Sequence, residues 1–280
     1  MCPVRRVTAL QAMGLGMGLL VACTDYKPAS DTLDSVSSPL DPQDSEVLDD
    51  FGADWSCLGR EPAAPLPLPG ALGASIVYSI RLVDLATGNA MPEVTVRACG
   101  LTDITCDAPV TDVIDTDEEG YANVPLTANF RGYLEVQSPR AVSYLIPLPE
   151  GGLRTMRDFP MSMISLESFG ALVSALRINP DPTLGAIGFR AFDCQGQTAG
   201  GVVLQTTTGG VPWYFENGLP NTERGLTDQQ GLGGFIGTTP GVTVLEGELS
   251  DGTPTATKSI IVRAGWMTAG YLRPANAVIQ

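Results

Sequence analysis

The chain has 280 residues, enough for two domains of ordinary size, and carries 16 basic against 31 acidic residues, a net charge of −15 with a pI near 4.2. That field repels nucleic acid and other polyanions, and the absence of histidine removes Ser–His–Asp triads, Cys–His pairs and histidine-ligated metal sites together. With 32 glycines, 22 prolines and 6% aromatic residues, the composition favours turn-rich β structure over helical bundles.

The amino terminus places Arg5 and Arg6 before an apolar run over residues 7–22, interrupted only by Thr8, Gln11 and glycines. This is the charge and hydropathy pattern of a secretory signal, and the run is too short and glycine-rich for a convincing spanning helix. It ends Leu20-Val21-Ala22-Cys23, which resembles the bacterial lipobox. The resemblance implies cleavage before Cys23, diacylation of its thiol and acylation of the new amino terminus. Several acyl chains anchor stably where one is marginal. Residues 1–22 are therefore expected to be a lipoprotein signal peptide. The membrane is then the first partner and the cell envelope the location, at the outer membrane or periplasmic face. An ordinary signal peptide with an incidental cysteine is the alternative.

Residues 23–71 read as lipid anchor and acidic, proline-rich tether. Between 24 and 54 stand nine carboxylates, from Asp25 to Asp54, against the single Lys27. Too little apolar surface is available there to offset the entropy of ordering. Trp55-Ser56-Cys57 marks the expected start of order. With Cys2 in the signal and Cys23 lipidated, four cysteines remain: Cys57, Cys99, Cys106 and Cys194. An even number in an exported chain predicts two disulfides, and four cysteines permit three connectivities. The short spacing of Cys99 and Cys106 favours closing one loop, which leaves Cys57 with Cys194 and ties the end of the tether to the second half. A zinc site of four thiolates would normally show two Cys-x-x-Cys pairs, which are absent.

Residues 72–164 predict a first β-sandwich. Ile76, Tyr78, Ile80 and Leu82 alternate with more polar positions, and after a turn at residues 84–89 so do Val94, Val96 and Ala98. Further strands are expected at 121–126, 132–136 and 143–148. Residues 165–182 predict a connector, with Leu166, Phe169, Leu172, Val173 and Leu176 near one helical face, Ser162 or Ser165 as N-cap, and the Asn179-Pro180-Asp181-Pro182 stop. Residues 183–280 then repeat the first sandwich: Val83-Asp84 returns as Phe192-Asp193, Val94–Ala98 as Val202–Thr206, and Thr116-Asp117-x-x-Gly120 as Thr227-Asp228-x-x-Gly231. The offsets stay between 108 and 111 residues, a domain-sized period rather than that of a solenoid. The fold class expected is all-β: two tandem antiparallel sandwiches joined by a short helix.

Strand, turn, Val-x-Val, variable loop and Thr-Asp-x-x-Gly together resemble the carboxypeptidase regulatory-like domain. This resemblance implies a transthyretin-like (prealbumin-like) seven-stranded sandwich in each half. Lipobox, acidic tether and two such domains are also similar to the layout of deltaproteobacterial envelope lipoproteins. In the motif, Asp117 and Asp228 are expected to bond back to nearby amides while Gly supplies positive φ. The family implies fold far better than function. Related intradiol dioxygenases need histidine, which this chain lacks, and relatives with Lys–Asn isopeptide bonds find only Lys258 outside the tether.

No residue is assigned to catalysis, metal or cofactor. The calcium-like Asp115-Thr116-Asp117-Glu118-Glu119-Gly120 has Leu126 where a bidentate Glu is needed, and no carboxylate pair sits in a glycosidase context. The function expected is a non-catalytic, membrane-anchored envelope lipoprotein whose two modules bind or scaffold. The alternative is a carbohydrate-binding or adhesive module on Trp213, Tyr214 and Phe215. In that reading the three rings form a stacking platform for a glycan or an anchor for an envelope protein, with Trp266 contributing or filling the core. In a strand these rings alternate faces, so either Tyr214 or the Trp213–Phe215 pair could instead be core.

Overall fold

A computed structural model describes residues 51–60, 74–128, 130–148 and 160–277; Cys23 and most of the acidic tether lie outside them. All described residues belong to one compact unit. The first half contributes β1 (Ser75–Asp84), β2 (Thr95–Gly100), β3 (Ile114–Asp115), β4 (Tyr121–Thr127), β5 (Gly132–Gln137), β6 (Tyr144–Pro147) and β7 (Pro160–Met163). After α1 (Leu166–Ala175) come β8 (Gly185–Ala191), β9 (Val202–Thr206), β10 (Val211–Glu216), β11 (Leu219–Asn221) and β12 (Leu232–Thr238). The chain then runs through β13 (Gly241–Leu249), β14 (Pro254–Val262) and β15 (Met267–Leu272).

The strands form an all-β sandwich fold. Strand order is β4-β1-β7 in one sheet, β14-β13-β9 in another, and β11-β10-β12-β8-β15-β6-β5-β2-β3 in a continuous nine-stranded sheet. In the first half, Ile80, Leu82, Val96, Val124, Leu134 and Val136 are buried together, and on β1 and β4 the alternate residues face a wetter side. In the second half, Ile187, Phe189, Leu204, Leu245, Ile260 and Val262 form a separate core.

Within each half most neighbours are antiparallel. The last strand of each half, however, returns beside the first in parallel: β7 on β1 and β15 on β8. Periodicity of two reveals a strand but not the direction of its partner, and a parallel pair needs a long crossover instead of a hairpin. The two halves are then joined edge to edge, because β15 also pairs with β6 through Met267↔Tyr144 and Thr268↔Leu145. Tandem repetition in sequence does not disclose this shared sheet.

The connector is helical as expected, with Ser165 as its N-cap, its hydroxyl accepting from Ser168 N at 3.1 Å. Leu172, Val173 and Leu176 are buried, whereas Leu166 is exposed. The helix packs into the first core together with Ala186, Trp213, Ile236 and Met267 from the second half. The sheet β10-β12-β8-β15 is thus covered on both faces, by β14-β13-β9 on one side and by the helix region on the other. Two-sided cover accounts for its consecutive apolar residues Ala186-Ile187-Gly188-Phe189.

Candidate functional site

The repeated Thr-Asp-x-x-Gly motif is structural in both copies. Thr116 Oγ1 accepts from Val94 N at 3.0 Å and donates to Met91 O at 2.6 Å. Thr227 Oγ1 accepts from Val202 N at 3.0 Å and donates to Ala199 O at 2.9 Å. Gly120 and Gly231 have φ of +82° and +70°, and a Cβ on either would lie 2.5 Å from a backbone oxygen, that of Leu82 or Ala191. Asp117 accepts from Tyr121 N at 2.7 Å and Asp228 from Gln230 N at 2.9 Å, as turn residues do. The acidic stretch 115–120 is therefore a turn that carries the chain from β3 in one sheet to β4 in another. The sequence had marked Asp and Gly, but the buried threonine strut was missed.

The four cysteines are joined as Cys57–Cys194 and Cys99–Cys106. The first bridge fastens the segment 51–60 to the second half, and the fastening extends beyond it. Cys194 N donates to Asp54 O at 2.8 Å, Asp54 N to Asp193 Oδ2 at 3.0 Å, and Gln195 Nε2 to Asp54 Oδ2 at 2.8 Å. Bonds from Gln195 and then Ser56 hold the exposed Asp54 carboxyl below its ordinary range. Phe51 lies against Gly200 and Gly201, with the Arg224 guanidinium 5.7 Å from its ring centre. Order thus extends at least four residues ahead of Trp55, because a glycine surface receives the Phe51 ring.

The second bridge closes a loop against a buried ionic cluster that sequence reasoning did not single out. Glu135, on β5, is 3% exposed and pairs with Arg97 at 2.8 Å and Arg263 at 3.1 Å. Arg263 also donates to Ile104 O at 2.7 Å and Tyr133 Oη at 3.1 Å, and its guanidinium stacks 4.7 Å from the Trp266 ring. Trp266 thus packs beside the disulfide loop, away from Trp213. Cys99, Cys106 and Glu135 cluster tightly enough to suggest metal ligation, but the two sulfurs are bonded to each other and the carboxylate to two arginines. Lys258 Nζ stands 6.0 Å from the Phe189 ring centre.

The three aromatics on β10 do not form an open platform. Trp213 and Tyr214 are only 5% and 2% exposed, and Phe215 is half-buried. Tyr214 enters the second core, where its hydroxyl accepts from Leu204 N at 2.9 Å, and burial raises its pKa. Trp213 points to the opposite face and meets Phe215 edge-on at 5.8 Å. Faces do alternate, but cover on both sides of the sheet buries residues that a one-sided strand would expose.

Trp213 and Phe215 instead help to wall a cavity of about 60 Å³ between α1, β7 and the β10-β12-β8-β15 face. Met161, Ile164, Leu172 and Met267 supply apolar wall, and Arg190 and Tyr271 its polar side. Tyr271 Oη donates to Pro160 O at 3.2 Å. Burial raises its pKa while the nearby Arg190 charge opposes the rise. No helix among the described residues is long and apolar enough to cross a membrane.

No known protein family matches the sequence, and no curated protein does. Among solved structures the chain is similar to the Bacillus anthracis TIE protein, at 13% identity and a TM-score of 0.25 over 72% of this chain. It spans only 34% of that chain's length. A double mutant of the shaft pilin SpaA from Lactobacillus rhamnosus GG matches at 9% identity and a TM-score of 0.26, covering 74% of this chain and 100% of its own. A streptococcal ancillary pilin matches at 13% and 0.23, covering 71% of this chain and 63% of its own. Likenesses this distant transfer no activity or partner to the chain.

Proposed function

We propose that the chain is a lipid-anchored, non-catalytic envelope protein that presents a fused pair of carboxypeptidase regulatory-like sandwiches for binding or scaffolding. In this reading residues 1–22 leave as the signal, Cys23 carries the lipid, and residues 23–71 run from the anchor to the folded body. The observation that carries it is the fastening of residues 51–60 by the Cys57–Cys194 bridge, Asp54 and Phe51. A disulfide suits an oxidising compartment, and a covalent tie at the end of a long acidic segment passes tension from an anchor into the body instead of into the first strand. The matched roles of Thr116 with Thr227 and Gly120 with Gly231 support the tandem-domain part. The acidic residues supply turns and ion pairs, which fits a role without chemistry of their own.

Metabolic labelling with radioactive palmitate, with and without the signal-peptidase inhibitor globomycin, tests anchorage. The full chain should take up label, Cys23→Ala should take up none, and globomycin should leave a longer precursor. An unlabelled wild-type chain would refute the anchor. Crosslinking in intact envelopes, followed by isolation of the chain, tests the scaffolding role by yielding a defined adduct.

A further inference from the structure

We infer that the disulfide-closed loop between β2 and β3, residues 101–113, is a docking surface for a protein partner that offers an apolar patch rimmed with lysine or arginine. The inference rests on the binding role proposed above and names where the chain binds and what it meets. Among the described residues nine large apolar side chains are exposed, and four of them, Leu101, Ile104, Val110 and Val113, stand on this one loop at 40–59% exposure. Apolar side chains scattered singly over a surface need no explanation, whereas a concentration of them marks a place of contact. The loop is also held rigid. The Cys99–Cys106 bridge closes its base, and the Asp103 carboxylate accepts from Asp107 N at 3.0 Å and Ala108 N at 2.9 Å. Arg263 donates to Ile104 O at 2.7 Å, and Val110 N donates to Ala98 O on β2 at 2.8 Å. Folding has therefore already ordered the segment, and association does not bear that entropy again.

Charge selects the occupant. From Ala98 to Phe130 the chain has no lysine or arginine, and Asp107, Asp112 and Asp115 are exposed in and beside the loop. Behind it Arg97 and Arg263 pair with Glu135. Arg131, whose carbonyl accepts from Leu101 N at 3.3 Å, sets one exposed positive charge beside those three negative ones. An apolar surface edged in carboxylates is repelled by anionic lipid headgroups, and a second copy of a chain at −15 is repelled as a whole. A partner edged in Lys or Arg gains on both counts. Apolar area leaves water at the centre, and opposite charges at the rim steer the encounter and fix its register.

Photocrosslinking of the full chain in the cells that produce it tests the surface. The photoreactive p-benzoylphenylalanine takes the place of Ile104 or Val110 and, as exposed apolar controls in the second half, of Leu219 or Val242. Positions 104 and 110 should give a protein adduct of one shared mass, about fivefold or more stronger than at either control position. The partner's crosslinked peptide, sequenced by mass spectrometry, should carry Lys or Arg beside apolar residues. Leu101→Ser with Val113→Ser should cut the adduct about tenfold. Asp112→Asn with Asp115→Asn should cut it several-fold and flatten its dependence on salt. Melting temperatures should not move, because these side chains are exposed. Should either variant melt lower, the pattern of positions and the peptide sequence still decide. Equal adducts at the control positions, an adduct with lipid or with a second copy of the chain, or a partner peptide without basic residues would overturn the inference. An adduct at the control positions alone overturns it and leaves the binding role standing, whereas no adduct at any position overturns both. Palmitate labelling reads the anchor separately.

Discussion

Leu85 and Cys194 occupy the same place in two copies of one turn, and what reaches them differs. In the first half Leu85 N donates to Met163 O, the end of β7. In the second half Cys194 N donates to Asp54 O, and its sulfur takes Cys57. A second divergence lies between the strands that follow. From β2 to β4 the first half runs through the Cys99–Cys106 loop, whereas from β9 to β12 the second half inserts the β10-β11 hairpin that widens the shared sheet. The framework bonds of Thr116 and Gly120 recur at Thr227 and Gly231. A repeated hydrogen-bond frame therefore tolerates different inserts, and the inserts make the tether clamp, the loop held by Arg263 and the wall of the cavity.

The largest contrast between the halves should come from their disulfides. Chain entropy assigns about 5 kcal/mol to the Cys57–Cys194 bridge, which spans 137 residues, and about 2.5 kcal/mol to Cys99–Cys106, which spans 7. Guanidinium unfolding of the two double-alanine variants should separate them in that order. Equal losses would mean that the denatured chain already keeps residues 51–60 near the second half.

The shared frame predicts equality instead. Gly120→Ala and Gly231→Ala each combine a left-handed backbone with a Cβ driven against a carbonyl oxygen. Each should cost about 3 kcal/mol, and a difference above about 1 kcal/mol would break the equivalence. Thr116→Val and Thr227→Val keep shape but strand a buried amide and a carbonyl, so each should cost about 2 kcal/mol in the same assay.

The smallest effect is a pH response in the two inserts. Backbone amides, Ala108 first, hold the Asp103 carboxyl below its ordinary value of 3.8, and Gln195 does the same for Asp54. Lowered folded pKa values give stability that is complete above the unfolded value and lost as pH falls through the folded one. Carboxyl NMR titration should place both midpoints below 3.8, and Asp54→Asn should blunt the fall in melting temperature between pH 5 and 2. A midpoint for Asp54 at or above 3.8 would mean that the clamp does not rest on its carboxylate.

Much of the frame is legible in the sequence because it is local. Alternation at Ile76–Leu82 and Val94–Ala98 marks strands, Ser165 caps the helix, and a separation of 7 residues from Cys99 to Cys106 brings two sulfurs into reach. The candidate site was legible only in part. Trp213 and Phe215 stand out as residue types, but their burial depends on α1 crossing a sheet face that already has its own core behind it. Arg190 looks like one more polar residue on an alternating strand, and Glu135 like a solvated acid. Nothing near either in sequence announces the neighbours that surround them.

By itself the sequence determined the β class, the duplicated turns, the even set of four cysteines and the acidic approach, since each follows from short-range spacing or composition. Only the tertiary structure decided that β15 pairs with β6 and merges the halves, that Phe51 and Asp54 dock with the tether's end, and that Trp213 and Arg190 line one cavity. Those outcomes depend on which surfaces meet, across 23 residues for Arg190 and Trp213, 123 for Tyr144 and Met267 and 139 for Asp54 and Asp193. Periodicity says which side of a strand is apolar, and only packing says what covers it.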